Sequence, residues 1–115
     1  MSYILIHNPG CSTSRNGLEL LREKGVEPEL RKYMNASERL SVEELKDIAG
    51  KMGADSPRAF LRDKDAAKFD LPEAASDEEV YAAMADNPRL IQRPIGVKGD
   101  RAVLGRPFSA LLDIL

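Results

Sequence analysis

The chain has 115 residues, a formal net charge of −2, and 43% hydrophobic and 31% charged residues. These values are ordinary for one soluble globular domain, so we expect a single domain over residues 1–115. The slightly negative charge argues against a nucleic-acid partner, which would need a basic face. No apolar run reaches the length of about 18 residues that a membrane span requires, so we expect no membrane association.

The use of cysteine and histidine restricts the chemistry further. Cys11 is the only cysteine and His7 the only histidine. An internal disulfide, a CxxC redox pair and a cysteine- or histidine-rich metal site are therefore excluded, and we expect no bound metal or cofactor. Residues 1–7 lack the basic region that opens a secretory leader, so we expect a protein of the reducing cytoplasm.

In chain order, the first element is a short apolar run over residues 3–7, which predicts a buried strand. It ends at the turn-forming segment Asn8-Pro9-Gly10. A helical pattern begins at Ser12 and should stop at Gly25, a residue suited to a left-handed helix end. Residues 28–33 then predict a second, more polar strand.

The middle of the chain, about residues 41–87, predicts a helical insertion. Capping boxes at Ser41 and Ser76 begin two helices. Ser56, followed by proline, begins a shorter helix that we expect to end at Arg62. Residues 63–75 carry the weakest pattern and predict only a surface connection.

Residues 95–97 and 101–104 predict a β-hairpin, and Pro107 should open a terminal helix. Its expected buried residues are Phe108, Leu111, Leu112 and Leu115. The resulting order is β-α-β, then helices, then β-β-α. This order predicts a thioredoxin-like α/β fold, with a mixed sheet covered by helices on both faces.

Chemistry is concentrated in the loop that carries Cys11, between the first strand and the first turn of the helix. Free N–H groups and the helix dipole at such a position lower a thiol pKa and can also hold an oxyanion. Ser14 adds a hydroxyl group and Arg15 a positive charge. The loop therefore predicts a nucleophilic thiolate that attacks an oxyanion or a disulfide. His7 fits a structural hydrogen bond better than catalysis, although a role in tuning Cys11 stays open.

Three arginines stand at the ends of predicted elements: Arg62, Arg93 and Arg106. The planar, permanently charged guanidinium group suits a tetrahedral oxyanion because it donates paired hydrogen bonds. Spacing along the chain does not show that the three converge on Cys11.

Four segments of the sequence together resemble the glutaredoxin-coupled arsenate reductases. They are residues 7–16 (HNPGCSTSRN), 60–62 (FLR), 92–95 (QRPI) and 105–107 (GRP). The resemblance implies that Cys11 is the nucleophile, and that Arg62, Arg93 and Arg106 bind arsenate. It also implies that glutathione acts as co-substrate and glutaredoxin as partner. The thioredoxin-like fold separately implies that Pro94 follows a cis bond and faces the cysteine loop.

With its end at Leu115, the chain resembles the shorter, chromosomally encoded branch of this family, whose physiological substrate is less secure. Two alternatives stay open. One is a glutathione-dependent thiol–disulfide reductase that acts on disulfides. The other is a regulator resembling the Spx proteins, although Ser14 occupies the place of the second cysteine in their CxxC switch.

Overall fold

The computed structural model describes residues 2–115, and its centre is a four-stranded mixed sheet. The strands are β1 (Tyr3–Ile6), β2 (Glu29–Arg31), β3 (Ile95–Lys98) and β4 (Arg101–Leu104), in the spatial order β2-β1-β3-β4. β1 pairs parallel with β2 and antiparallel with β3, and β3 pairs antiparallel with β4. This arrangement confirms the predicted order of strands and the hairpin.

In the described part of the chain, residues 2–115, four α-helices and four short 3-10 helices surround the sheet. The α-helices are α1 (Ser12–Glu23), α2 (Val42–Met52), α3 (Asp63–Lys68) and α4 (Asp77–Asp86). The 3-10 helices are Ala36–Glu38, Pro57–Phe60, Pro88–Leu90 and Phe108–Ile114. Both predicted capping boxes, at Ser41 and Ser76, are formed. Within residues 2–115, no helix is long and apolar enough to cross a membrane.

The sheet is covered on both faces because successive side chains of a strand point to opposite sides. In β1, Leu5 packs into a small cluster with Leu21 of α1 and Leu111. Ile6 packs into the larger cluster that contains buried residues of α2 and α4. The two clusters place α1 and the last 3-10 helix on one face of the sheet and the helical insertion on the other. Helices on both faces confirm the prediction.

A close approach at Gly17 sets the position of α1. A Cβ atom at this residue would lie 2.5 Å from Leu111 Cδ1 and 3.4 Å from Pro94 Cγ. Glycine therefore lets α1 pack directly against the last helix and the proline ahead of β3. This packing holds the N-terminus of α1, where Cys11 lies, beside the loops around Pro94.

The expectation for residues 63–75 was wrong in its first half, where α3 forms. Asp63 and Asp65 lie in the first turn of this helix, where negative charge is favoured by the helix dipole, and Ala66 is buried. A helix of six residues has fewer than two turns, so it shows almost no hydrophobic period. The 3-10 helix from Ser56 ends at Phe60, so Arg62 does not close it and instead caps α3.

The terminal helix was predicted correctly in place but not in the face it buries. Phe108–Ile114 is a 3-10 helix in which Leu111 and Ile114 are buried, whereas Leu115 is 48% exposed. Side chains three residues apart align in a 3-10 helix, so residues 108, 111 and 114 share one face. Leu115 falls outside that face, which is why the α-helical expectation failed there.

Candidate active site around Cys11

Cys11 is partly exposed and is the N-cap residue of α1. A tight turn ahead of it is closed by two hydrogen bonds. The Gly10 N–H donates to Asn8 Oδ1 at 2.9 Å, and the Cys11 N–H donates to the Asn8 carbonyl at 3.0 Å. The loop thus presents the thiol at the helix end where unpaired N–H groups concentrate.

A buried hydrogen-bond pair holds this loop from beneath. Ser14 is 0% exposed, and its Oγ lies 2.8 Å from His7 Nδ1 and accepts a hydrogen bond from the Asn8 N–H at 3.1 Å. Burial, with the nearby charges of Lys32, Arg22 and Arg15, lowers the pKa of His7 and keeps its ring neutral near pH 7. His7 therefore supports the cysteine loop through Ser14.

Arg15 also supports the loop. Its side chain is exposed, and Nη1 donates to the Pro9 carbonyl at 2.9 Å, across the turn that leads to Cys11. The Arg15 guanidinium, which we expected to add positive charge for an oxyanion, therefore also stabilises the turn.

Replacing Ser14 with alanine should destabilise the protein by about 1–3 kcal/mol, because the Asn8 N–H and the His7 ring lose a buried partner. The free energy of unfolding in urea measures this loss. As a control, Ser109→Ala removes an exposed hydroxyl from the last helix and should change stability by less than about 0.5 kcal/mol. Equal stability of the two variants would contradict the role given to Ser14.

Two of the three arginines lie at the thiol. Arg106 Nη2 donates to Cys11 Sγ at 3.7 Å, and its Nε donates to the Arg93 carbonyl at 2.9 Å. The Arg93 guanidinium lies close enough to Cys11 to lower the pKa of the thiol and so stabilise its charged form. The structure therefore brings Arg93 and Arg106 together with Cys11, although the three are distant in sequence.

The pKa of Cys11 is lowered below its ordinary value. Burial raises it, but the Ser14 backbone N–H, the Arg93 guanidinium and the Thr13 backbone N–H outweigh that effect. Arg106 matters less to the thiol, since its contact with Sγ is long and its side chain is exposed to water, which screens charge. The predicted thiolate site at the N-terminus of α1 is therefore supported by both backbone and side-chain donors.

The rate of Cys11 alkylation by iodoacetamide should rise with pH to a midpoint below about 8.5, the value for free cysteine. Because the folded protein favours the thiolate, reactivity should persist below that pH and disappear as the pH falls through the lowered pKa. The same chain in urea is the control, and its midpoint should return to the free-cysteine value. A folded-state midpoint at or above that value would show that the loop does not activate the thiol.

Arg62 lies near the site but has a carboxylate partner. Its Nε pairs with Asp65 at 3.0 Å, with side-chain exposures of 22% and 14%. Leu61 and Ile91 form an isolated antiparallel bridge, and the Arg62 N–H donates to the Leu90 carbonyl at 2.7 Å. These contacts place Arg62 next to the segment that precedes Arg93. Arg62 and Arg93 then line the same cavity.

Pro94 follows a cis peptide bond with Arg93, as expected. Its carbonyl accepts a hydrogen bond from the Gly105 N–H at 2.8 Å. A second cis bond, between Arg106 and Pro107, was not expected. The loops before β3 and after β4 thus meet, and each carries one of the arginines that contact Cys11.

Sequence reasoning missed two residues of this site. Tyr33 is 0% exposed, and burial raises its pKa to about 12. The charge of Cys11 also raises this pKa, whereas the charges of Arg93 and Arg62 lower it. Arg89 lines the cavity beside the cysteine loop. Tyr33 fell in a predicted strand and Arg89 next to a helix end, so nothing in the local pattern marked either one.

Comparison with known proteins agrees with this geometry. The model of the ArsC family matches residues 6–114. An arsenate reductase of Haemophilus influenzae is 40% identical, with 100% of both chains covered. The uncharacterised Escherichia coli protein YfgD is 38% identical over 96% of this chain and 94% of its own. The structure of an arsenate reductase from Vibrio cholerae superposes with a TM-score of 0.90 at 41% identity, covering 100% of this chain and 98% of that one.

The fold and site define a thioredoxin-like α/β protein with one activated cysteine at a helix N-terminus, which confirms the predicted fold class. Within this class, the chain belongs to the ArsC family, the family of arsenate reductases.

Proposed function

We propose that this protein reduces arsenate to arsenite, with Cys11 as nucleophile and with glutathione and glutaredoxin as the further thiols. The observation that carries the proposal is the partly exposed Cys11 thiol, whose pKa is lowered in part by the Arg93 guanidinium and whose Sγ accepts a hydrogen bond from Arg106. A thiolate and fixed positive charges in one place favour attack on an anion that would otherwise be repelled.

In the first step, the Cys11 thiolate attacks arsenic(V). A sulfur–arsenic bond forms, and an arsenic–oxygen bond breaks as the oxygen leaves as water after protonation. Arg93 and Arg106 hold the negative oxygens of the bound anion. Arg62 joins them with its terminal N–H groups while its Nε stays paired with Asp65.

In the second step, the glutathione thiolate attacks Cys11 Sγ. A disulfide forms between the two sulfurs, and the sulfur–arsenic electron pair leaves with arsenic, which becomes arsenite. Glutaredoxin then attacks the glutathione sulfur and releases the Cys11 thiolate. Two thiols are oxidised for each arsenic reduced, those of glutathione and glutaredoxin, because Cys11 is regenerated and the chain has no second cysteine with which it could form a disulfide. These thiols belong to the reducing cytoplasm where we place the protein.

The test is a coupled assay with arsenate, glutathione, glutaredoxin, glutathione reductase and NADPH. We expect NADPH oxidation that depends on both arsenate and this protein, and that falls to background when glutaredoxin is left out. Full activity without glutaredoxin would disprove its part in the proposed order of thiols but keep the arsenate step. No dependence on arsenate would overturn the proposed reaction.

A thiol–disulfide reductase is the second candidate, and the partial exposure of Cys11 favours it because thiol exchange needs access to the sulfur. In the same assay, a glutathionylated peptide replaces arsenate as substrate. Turnover of the peptide together with no turnover of arsenate would select this function.

A further inference from the structure

A cavity of about 360 Å³ opens beside the cysteine loop. Its lining residues are Asn8, Gly10, Met34, Arg62, Asp65, Arg89 and Arg93. Gly10, which directly precedes Cys11, and Arg93, whose guanidinium group lowers the pKa of the thiol, both line the cavity, so a group bonded to Sγ lies within reach of this space. The volume falls within the range of about 300–1,000 Å³ that is usual for small-molecule sites.

The cavity is positively charged although the whole chain has a formal net charge of −2. It contains three guanidinium groups and one carboxylate, and that carboxylate, Asp65, pairs with Arg62 at 3.0 Å. Within residues 2–115, neither Arg89 nor Arg93 has a carboxylate within ion-pair distance. Arg93 acts on the Cys11 thiol, which leaves Arg89 as the exposed, unpaired charge of the cavity lining.

We propose that this cavity is the subsite for the glutathionyl group that becomes bonded to Cys11, and that Arg89 binds one of its carboxylates. The proposal rests on the proposed use of glutathione, for which it names the binding residue. Glutathione carries two carboxylates, and a guanidinium group binds a carboxylate through paired hydrogen bonds. Arg89 is exposed, so its effect should be moderate and should weaken with salt.

Thiol exchange without arsenate tests the subsite. The Cys11 thiolate attacks glutathione disulfide; one sulfur–sulfur bond breaks as another forms, and glutathione leaves as a thiolate. The adduct is followed by intact-protein mass spectrometry, and the rate is compared with that for the uncharged 2-hydroxyethyl disulfide. N-acetylcysteine, reacted with both disulfides, corrects for their intrinsic reactivities.

The preference is the ratio of the rates with glutathione disulfide and 2-hydroxyethyl disulfide, divided by the same ratio for N-acetylcysteine. We expect Arg89→Ala to lower this preference about threefold to fivefold at low ionic strength, as loss of an exposed ion pair does. The control, Arg101→Ala, removes an exposed arginine from the β-hairpin outside the cavity and should leave the preference unchanged. An unchanged preference in Arg89→Ala, or an equal loss in both variants, would overturn the proposal. Because arsenate is absent, failure of arsenate reduction would not affect this result.

A second inference comes from two buried polar atoms at the same site. Within residues 2–115, the side-chain nitrogen and oxygen atoms that are buried without a hydrogen-bond partner are Tyr33 Oη and Arg93 Nε. A buried polar group without a partner costs free energy, so native proteins rarely keep one. The two residues are close enough for Arg93 to affect the pKa of Tyr33, so the two atoms call for a common explanation.

Their chemistry is complementary, since Arg93 Nε–H is a donor and the phenol oxygen of Tyr33 is an acceptor. The Arg93 guanidinium lies close enough to lower the pKa of Tyr33, although burial raises that pKa overall to about 12. The phenol therefore stays neutral at pH 7. Arg93 Nη1 makes only long contacts of 3.4 Å with the carbonyls of Arg89 and Ile91, which do not fix its guanidinium group firmly.

We infer that Tyr33 is a positioning residue, whose hydroxyl oxygen accepts a hydrogen bond from Arg93 Nε and orients the guanidinium group toward Cys11. One bond then satisfies both buried atoms and leaves the Arg93 Nη2 hydrogens for the thiolate or a bound anion. Tyr33 acts on the reaction through Arg93 and does not touch the reacting atoms.

Tyr33→Phe keeps the buried ring and removes only the hydroxyl group. We expect the midpoint of Cys11 alkylation to rise by about 0.5 pH unit, as follows from loss of one modest hydrogen bond. The same substitution in an Arg93→Ala background should shift the midpoint no further, because its effect passes through Arg93.

A merely structural hydroxyl would change stability and leave the alkylation midpoint in place, and that result would overturn the inference. A full additional shift in the Arg93→Ala background would overturn it as well. Tyr81→Phe is the control, since Tyr81 lies in α4 with its ring beneath Lys46 of α2. The alkylation midpoint of this variant should equal that of the parent protein.

Discussion

Cys11→Ser should abolish arsenate-dependent NADPH oxidation in the coupled assay, a loss of at least about 10³-fold, as removal of a nucleophile causes in other enzymes. Serine fills nearly the same volume, but its hydroxyl group does not ionise near neutral pH, so the N–H groups of α1 and the arginines have no thiolate to stabilise. Because Cys11 is the only cysteine, no neighbouring thiol can replace it.

Two controls separate lost chemistry from lost structure in this experiment. Circular dichroism and the urea unfolding midpoint of Cys11→Ser should match those of the parent protein within a small change. Ser109→Ala, an exposed substitution on the last helix, should keep full activity. Arsenate turnover by Cys11→Ser above one-tenth of the parent rate would show that Cys11 is not the nucleophile.

Arg93→Ala should lower kcat/KM for arsenate by about 10²–10³-fold, the cost of removing a donor aimed at developing negative charge. The same variant should raise the alkylation midpoint of Cys11, because Arg93 holds the thiol pKa down through a hydrogen bond and its charge. Steady-state kinetics and alkylation against pH give the two readings independently.

Arg93→Lys restores the charge but not the planar fork, so we expect recovery of the thiol midpoint with only partial recovery of kcat/KM. Arg106→Ala should lower kcat/KM for arsenate less, by about tenfold, because the Arg106 contact with Sγ is 3.7 Å long and exposed to solvent. Arg101→Ala controls for loss of one positive charge elsewhere. A decrease of less than threefold in kcat/KM for Arg93→Ala would show that Arg93 does not act on the bound arsenate.

Much of the fold was predictable because its signals are local. The capping boxes at Ser41 and Ser76 and the continuous apolar run of β1 depend on residues a few positions apart. α3 escaped prediction because six residues show too little periodicity. The burial of Ile114 instead of Leu115 also escaped, because the difference between 3-10 and α geometry is set by packing against α1 and the sheet.

The site divides in the same way. The resemblance named Arg62, Arg93 and Arg106, but only the structure shows that Arg93 and Arg106 contact the thiol while Arg62 pairs with Asp65. Tyr33 gave no signal in sequence, because burial of a hydroxyl without a partner depends on everything packed around it.

The sequence by itself determined that Cys11 lies at the N-terminus of a helix after a tight turn. Turn and cap hydrogen bonds join residues within one or two turns of each other, as the Asn8, Gly10 and Ser14 contacts show. Only the tertiary structure decided which positive charges reach the thiol. Arg106 is 95 positions from Cys11, and their contact exists because α1 packs against the last helix and brings the two loops together.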